Sequence, residues 1–178
     1  MKVRAENKQG VRLKYQFILF FTLFVFSLEA FGEHPRLFSI ERSRDANIIC
    51  YSLNLDKSNR LQTDEPIQVN WLMKTNDNKT SPLSWVQNRF SYGIVYLVKT
   101  EAYAKFHFAG YKARVFELKK NQFGAYKVFT ISEGKEVEVD RIFIYITSGT
   151  FWMPEIPKVE LYAKLVGNGQ PYIETIKI

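Results

Sequence analysis

Apolar and polar side chains alternate with a period of two residues along most of the chain after residue 36. In residues 67–73, isoleucine, valine, tryptophan and methionine occupy every second position, and the residues between them are mostly polar. This period is typical of a β-strand with one buried face. The pattern therefore predicts a domain made mostly of strands.

Nine further segments are rich in β-branched and aromatic residues and are separated by short polar breaks that contain Gly, Asn, Asp or Pro. They are residues 37–41, 47–55, 93–99, 102–108, 113–118, 123–131, 136–146, 158–166 and 172–178. Within 136–146 the apolar set changes parity, which predicts a bulge or bend near Asp140 and Arg141. About ten strands without alternating helices indicate an all-β fold, either a single antiparallel β-sandwich or a closed β-barrel.

One segment departs from the strand pattern. Ser81 and Pro82 fit an N-cap and a first helical residue, and apolar residues follow at helical spacing as far as Phe90. The sequence therefore predicts one short helix near residues 82–91. Gly93 would then allow the backbone to leave the helix.

The first 32 residues have the three parts of a cleavable signal peptide: five basic residues, an apolar run at 15–28, and small residues at Ala30 and Gly32. The run between Lys14 and Glu29 has 14 residues, whereas a membrane-spanning helix needs about 20. We expect cleavage after Gly32, export to the periplasm or the medium, and a single β-domain at 33–178. The alternatives are an uncleaved anchor or a buried core helix.

Without residues 1–32 the chain has 20 Lys and Arg against 16 Asp and Glu, a net charge of +4 in place of +7. The remaining basic residues are interleaved with acidic ones, which argues against nucleic-acid binding. We interpret these basic residues as solvent-exposed positions of strands and turns. Examples are Lys112, Arg114, Lys119, Lys120 and Lys127, near Glu117. Cys50 is the only cysteine, so the domain depends on an apolar core without internal disulfides, and Cys50 itself fits a small buried hydrophobe.

The sequence offers little catalytic chemistry. Only His34 and His107 are present, neither beside a cluster of metal-ligating residues, and no Gly-x-Ser-x-Gly motif or phosphate-binding loop occurs. We therefore predict no metal site and no cofactor. Glu136, Glu138 and Asp140 alternate on one strand, so an acid–base pair stays open as an alternative to a solvated strand face.

Three stretches of the sequence resemble a known family. The first is residues 37–48, followed by Tyr51, residues 65–67 and Trp71; the second is residues 82–93, a Leu-containing segment that closes on Ser-Tyr-Gly; the third is residues 157–160. Together they resemble the bacterial family called domain of unknown function 4833. The resemblance implies an exported or envelope domain without an established activity, and it implies no catalytic residues.

Residues 33–178 contain 21 aromatic residues, which can form either ordinary core or a pocket for an apolar or sugar ligand. The candidate ligand-binding residues are Arg42, Asn47, Tyr51, Trp71 and Tyr92. Turn stabilisation by Arg42 and Asn47 and a buried anchor role for Tyr92 are the alternatives. We predict a non-enzymatic module that binds a small ligand or an envelope component and meets the membrane only through the signal segment. An enzyme acting on envelope polymers through a carboxylate pair, or a structural partner pairing through an exposed strand edge, are the competing functions.

Overall fold

The computed structural model describes residues 34–150 and 153–178, and the predicted signal peptide at 1–32 lies outside them. The described residues contain thirteen strands and one short helix, which confirms the all-β prediction. The strands are β1 (Arg36–Arg42), β2 (Asp45–Leu53), β3 (Ile67–Met73), β4 (Lys79–Pro82), β5 (Ile94–Lys99), β6 (Ala104–Phe108), β7 (Tyr111–Lys120), β8 (Tyr126–Ser132), β9 (Lys135–Tyr145), β10 (Ser148–Gly149), β11 (Pro154–Glu155), β12 (Lys158–Leu165) and β13 (Pro171–Lys177). The helix, α1 (Trp85–Phe90), lies between β4 and β5.

Eleven of the strands form one sheet, in the order β4-β3-β2-β1-β9-β8-β7-β6-β5, with β12 beside β9 and β13 beside β12. Because β12 follows one edge of β9, β8 and β1 share the opposite edge: β8 pairs with residues 135–138 and β1 with residues 141–144. The sheet therefore forks at β9. It is an open half-barrel within the described residues, since its order ends at β4 and β5 without a ladder between them.

Strands β1 and β9 run parallel, so the prediction of a wholly antiparallel fold is wrong at this pair. Parallel neighbours need a long connection, and here strands β2 to β8 provide it. The alternation within a strand reports which face is buried, but not the direction of its neighbour, so the sequence pattern did not reveal this pairing.

The predicted irregularity in β9 is a bulge at Asp140. Arg141 pairs with Tyr162 and Val139 pairs with Ala163, which leaves Asp140 as the extra residue in the ladder. The bulge reverses the parity of the strand. Val139 is buried before it, and Ile142 is buried after it.

On the edge of β9 that β1 and β8 share, the sheet divides into two branches, β1-β2-β3-β4 and β8-β7-β6-β5. Most of the core residues come from these branches and from β9. Phe38 and Tyr51 stack with their ring centroids 4.2 Å apart, and Phe108 from the other branch meets both rings edge-on, at 6.0 and 5.6 Å. Each fully buried aromatic side chain contributes about 1.5–3 kcal/mol through removal of apolar surface from water. This contact between β1, β2 and β6 therefore helps to hold the branches together.

The helix begins later than the sequence analysis predicted. Ser81 and Pro82 lie in β4, and Ser84 is the N-cap, with its hydroxyl accepting a hydrogen bond from the backbone N–H of Gln87. The Gln87 side chain accepts a hydrogen bond from the Ser84 backbone N–H in return, so the two residues form a capping box. The prediction of a short helix is confirmed, whereas its predicted cap is wrong because Ser84 offers a reciprocal partner that Ser81 lacks. None of the described helices is long and apolar enough to cross a membrane.

Candidate functional site

A cavity of about 860 Å³ lies between β1, β7, β9, β12, β13 and the helix. Its lining includes six aliphatic side chains from strands β1, β9, β12 and β13, together with Phe108 and Phe116 from the aromatic core. The six are Ile40, Ile142, Ile144, Val159, Leu161 and Ile176. The cavity is therefore bounded mainly by groups that cannot form hydrogen bonds.

The bulge in β9 and the register of β12 place the aliphatic wall. After Asp140, Ile142 and Ile144 share one face of β9, and they pair directly with Leu161 and Val159 of β12. Side chains at paired positions of adjacent strands point to the same face of the sheet. Four branched side chains from two strands therefore form one continuous apolar surface.

Three of the five candidate ligand-binding residues meet at the edge of the cavity. Arg42 donates a hydrogen bond to the Tyr92 hydroxyl at 3.2 Å, forms an ion pair with Asp45, and places its guanidinium carbon 4.8 Å from the centroid of the Trp71 ring. Its Nε is buried and has no hydrogen-bond partner within the described residues. Arg42 and Tyr92 line the cavity, whereas Trp71 supports them from behind.

The other two candidates have structural positions outside the cavity lining. Tyr51 is fully buried, and its hydroxyl donates a hydrogen bond to the Tyr92 carbonyl at 2.7 Å. Burial, together with the neighbouring Tyr92 hydroxyl, raises the pKa of Tyr51 well above its ordinary value. The Asn47 side-chain oxygen accepts hydrogen bonds from the backbone and hydroxyl of Thr75, so Asn47 joins the β2 strand to the chain after β3.

Arg114 lines the cavity and was not predicted as a site residue. Its guanidinium donates two hydrogen bonds of 2.6 Å to the carboxylate of Glu174, and both side chains are largely buried. The interpretation of Arg114 as a solvated strand residue is therefore wrong. The alternation along β7 could have predicted that Arg114 faces inward, because Arg114 shares its face of the strand with the buried residues Phe116 and Leu118.

Glu174 also accepts a hydrogen bond from the Ser132 hydroxyl, which lies 2.9 Å from the Tyr172 hydroxyl. The hydrogen bonds from Arg114 are the largest cause that lowers the pKa of Glu174 below its ordinary value. Glu174 is therefore charged at neutral pH. Arg114 therefore reaches the cavity as the end of a polar network with Glu174, Ser132 and Tyr172, which are not part of the lining.

Two of the three carboxylates that were considered as a catalytic acid–base pair form ion pairs with lysines. Lys119 lies 2.6 Å from the Glu136 carboxylate, and Lys127 lies 3.4 Å from that of Glu138, while Asp140 is exposed at the bulge. These contacts are typical of a solvated strand face. No group of three or more metal-ligating residues occurs in the described part of the chain.

Residues 38–175 match the family described as Domain of unknown function (DUF4833). The chain belongs to this family. The match begins in β1 and ends in β13, so the DUF4833 domain includes most of every strand that builds the cavity, and the family resemblance seen in the sequence is confirmed. No curated protein and no solved structure matches the chain.

Proposed function

We propose that this DUF4833 protein is an exported, non-enzymatic binding module that holds a small, mostly apolar ligand in its cavity. The observation that carries the proposal is the volume of about 860 Å³ behind aliphatic walls. Small-molecule sites commonly measure about 300–1,000 Å³ and combine apolar walls with a few polar groups. In this proposal the forked sheet serves as an incomplete barrel, and the cavity lies beside the fork, where β1, β7, β9, β12 and β13 contribute to its lining.

The chemistry of the wall favours an apolar ligand over a sugar. A sugar needs hydrogen-bond partners for each buried hydroxyl, because an unpaired buried polar group costs about 1–3 kcal/mol. The adjacent strands β9 and β12 offer only Ile142, Ile144, Val159 and Leu161 to the cavity. We therefore expect a ligand whose body is a hydrocarbon, which would bind because its apolar surface is removed from water.

The polar groups of the lining indicate the other end of the ligand. Arg42 and Arg114 are paired with Asp45 and Glu174, whereas Arg44 lines the cavity without an ion pair among the described residues. A cation at the edge of an apolar cavity favours a ligand with a polar or anionic end. Export to the periplasm or the medium is supported by the signal-peptide pattern of residues 1–32.

The test is binding of cis-parinaric acid, a fluorescent fatty acid, to the wild-type protein and to two matched variants. Ile144→Trp fills the cavity from β9, whereas Ile131→Trp makes the same substitution on an exposed position of β8 outside the cavity. We expect saturable binding to wild type and to Ile131→Trp, and binding weakened about tenfold or more in Ile144→Trp, since the new indole occupies ligand volume.

Unfolding curves of the three proteins exclude loss of the fold as the cause. If cis-parinaric acid fails to bind the wild-type protein, or binds Ile144→Trp as tightly as Ile131→Trp, the cavity is not a site for apolar ligands.

A further inference from the structure

The cavity opens through a rim of exposed apolar side chains. Phe90 and Ile178 line the cavity and are nevertheless 62% and 73% exposed. Trp85 is 70% exposed and meets the Phe90 ring edge-on, with centroids 5.8 Å apart. Exposed side chains of this size in one patch usually mark an interaction surface. We call Trp85, Phe90 and Ile178 the rim.

The helix that carries two of the rim residues is held at both ends, because the carbonyls of Ser91 and Tyr92 after it accept hydrogen bonds from the Gly110 N–H at 2.9 Å and the Tyr51 hydroxyl at 2.7 Å. None of the six residues of α1 is buried, and the Gln87 side chain that completes the capping box also accepts a hydrogen bond from the Trp71 indole at 3.2 Å. The helix is therefore fixed in place while Trp85 and Phe90 remain exposed to solvent. Their exposure is a property of the folded domain, because the capping box fixes the start of the helix.

Two arginines next to the rim have no acidic partner among the residues that the structure describes. Arg89 precedes Phe90 on the exposed surface of α1, and Arg44 lines the cavity together with Phe90. Neither side chain forms an ion pair within residues 34–150 and 153–178. Unpaired cations beside exposed aromatic side chains complement a partner that has an apolar interior beneath a negatively charged surface layer.

We propose that the rim, with Arg44 and Arg89, docks onto an anionic lipid bilayer, so that the folded domain itself meets a membrane, which the sequence analysis did not predict. Trp85 and Phe90 enter the interface, where an indole keeps its N–H in contact with water while its ring contacts acyl chains. The arginines contact lipid phosphates, and the cavity mouth then faces the hydrocarbon. The proposal rests on the proposed function in one respect, because an apolar cavity explains why its mouth should face lipid.

The test is co-sedimentation of the protein, as its host processes it, with vesicles of phosphatidylglycerol and phosphatidylethanolamine. The rim variant Trp85→Ser with Phe90→Ser is compared with Phe123→Ser, which removes an even more exposed aromatic from the turn between β7 and β8, away from the cavity. All variants share one N-terminus, which is measured by mass spectrometry. We expect the rim variant to bind about tenfold or more weakly, and Phe123→Ser to bind like wild type.

The charge contribution is tested with Arg44→Gln combined with Arg89→Gln. We expect this variant to lose most of the preference for phosphatidylglycerol vesicles over neutral phosphatidylcholine vesicles. Ile144→Trp separates the two proposals, since it should bind vesicles normally while failing to bind cis-parinaric acid. Equal vesicle binding by wild type and the rim variant, no binding by wild type, or a wild-type dimer that the rim variant abolishes would overturn the docking proposal.

Discussion

The pair formed by Arg114 and Glu174 allows a quantitative test of the structure around the cavity. The perturbation is Arg114→Met, which removes both 2.6 Å hydrogen bonds and leaves the Glu174 carboxylate largely buried with only Ser132 as a donor. The side chains of the pair are 15% and 14% exposed. Removing one partner of a fully buried pair costs about 3–5 kcal/mol, and an exposed pair contributes about 1 kcal/mol or less.

The Arg114–Glu174 pair is closer to a fully buried pair than to an exposed one. We therefore expect Arg114→Met to lower the free energy of unfolding by about 2–4 kcal/mol at pH 7. Replacing both residues, with Arg114→Met and Glu174→Met, should cost less than the sum of the two single changes. The difference, measured by a double-mutant cycle, is expected to be about 1–3 kcal/mol.

Lowering the pH should reduce the loss of unfolding free energy that Arg114→Met causes. The pKa of Glu174 is lower in the folded protein than in the unfolded chain, so its stabilising contribution is complete above the unfolded value of about 4.3. That contribution is lost as the pH falls through the lower, folded-state pKa. The cost of Arg114→Met should therefore be smaller at pH 3 than at pH 7.

The assay is urea unfolding followed by far-ultraviolet circular dichroism at both pH values, with equal slopes as the condition for comparing free energies. Lys127→Met is the matched control, because Lys127 makes a longer, more exposed contact with Glu138. A cost for Arg114→Met within about 0.5 kcal/mol of the control, or the same cost at pH 3 and pH 7, would refute the reasoning.

Three further predictions concern other parts of the fold. Gly93→Ala should lower the melting temperature by roughly 5 °C or more, because its Cβ would lie 1.8 Å from the Asn88 carbonyl oxygen; an unchanged melting curve would contradict this. The Glu160 carboxylate should titrate near pH 2 by carbon NMR, since hydrogen bonds from Lys158, the largest cause, and from Tyr162 and Tyr145 lower its pKa to about 2, and Lys158→Met should raise that value. Phe108→Ala should cost about 3–5 kcal/mol in urea unfolding, and a cost below about 1 kcal/mol would show that Phe108 does not join the branches.

Local alternation was sufficient to predict most strands and the bulge at Asp140. Buried and exposed positions repeat every second residue in β6 and β9, and the change of parity in β9 is visible in the sequence. The parallel pairing of β1 with β9 was not predictable in this way, because it joins segments about a hundred residues apart. Such pairing depends on the whole topology of the sheet.

The sequence was sufficient to identify the polar and aromatic residues of the candidate site, but not the aliphatic residues that line the cavity. Arg42, Trp71 and Tyr92 were identified from the sequence and lie together in the structure. The aliphatic wall was not, because residues such as Ile144 and Val159 look like ordinary core in a sequence. Only the register between β9 and β12 makes them face a cavity.

A native mass spectrum of the processed protein, purified gently from the envelope fraction of its host, tests the central claim most directly. We expect an N-terminus at Glu33 and a reproducible extra mass that dissociates as a lipid-like ligand. The same preparation of Ile144→Trp should show the polypeptide mass alone. A wild-type protein that carries no extra mass and still binds none of the added cis-parinaric acid would contradict the claim that the cavity holds an apolar ligand.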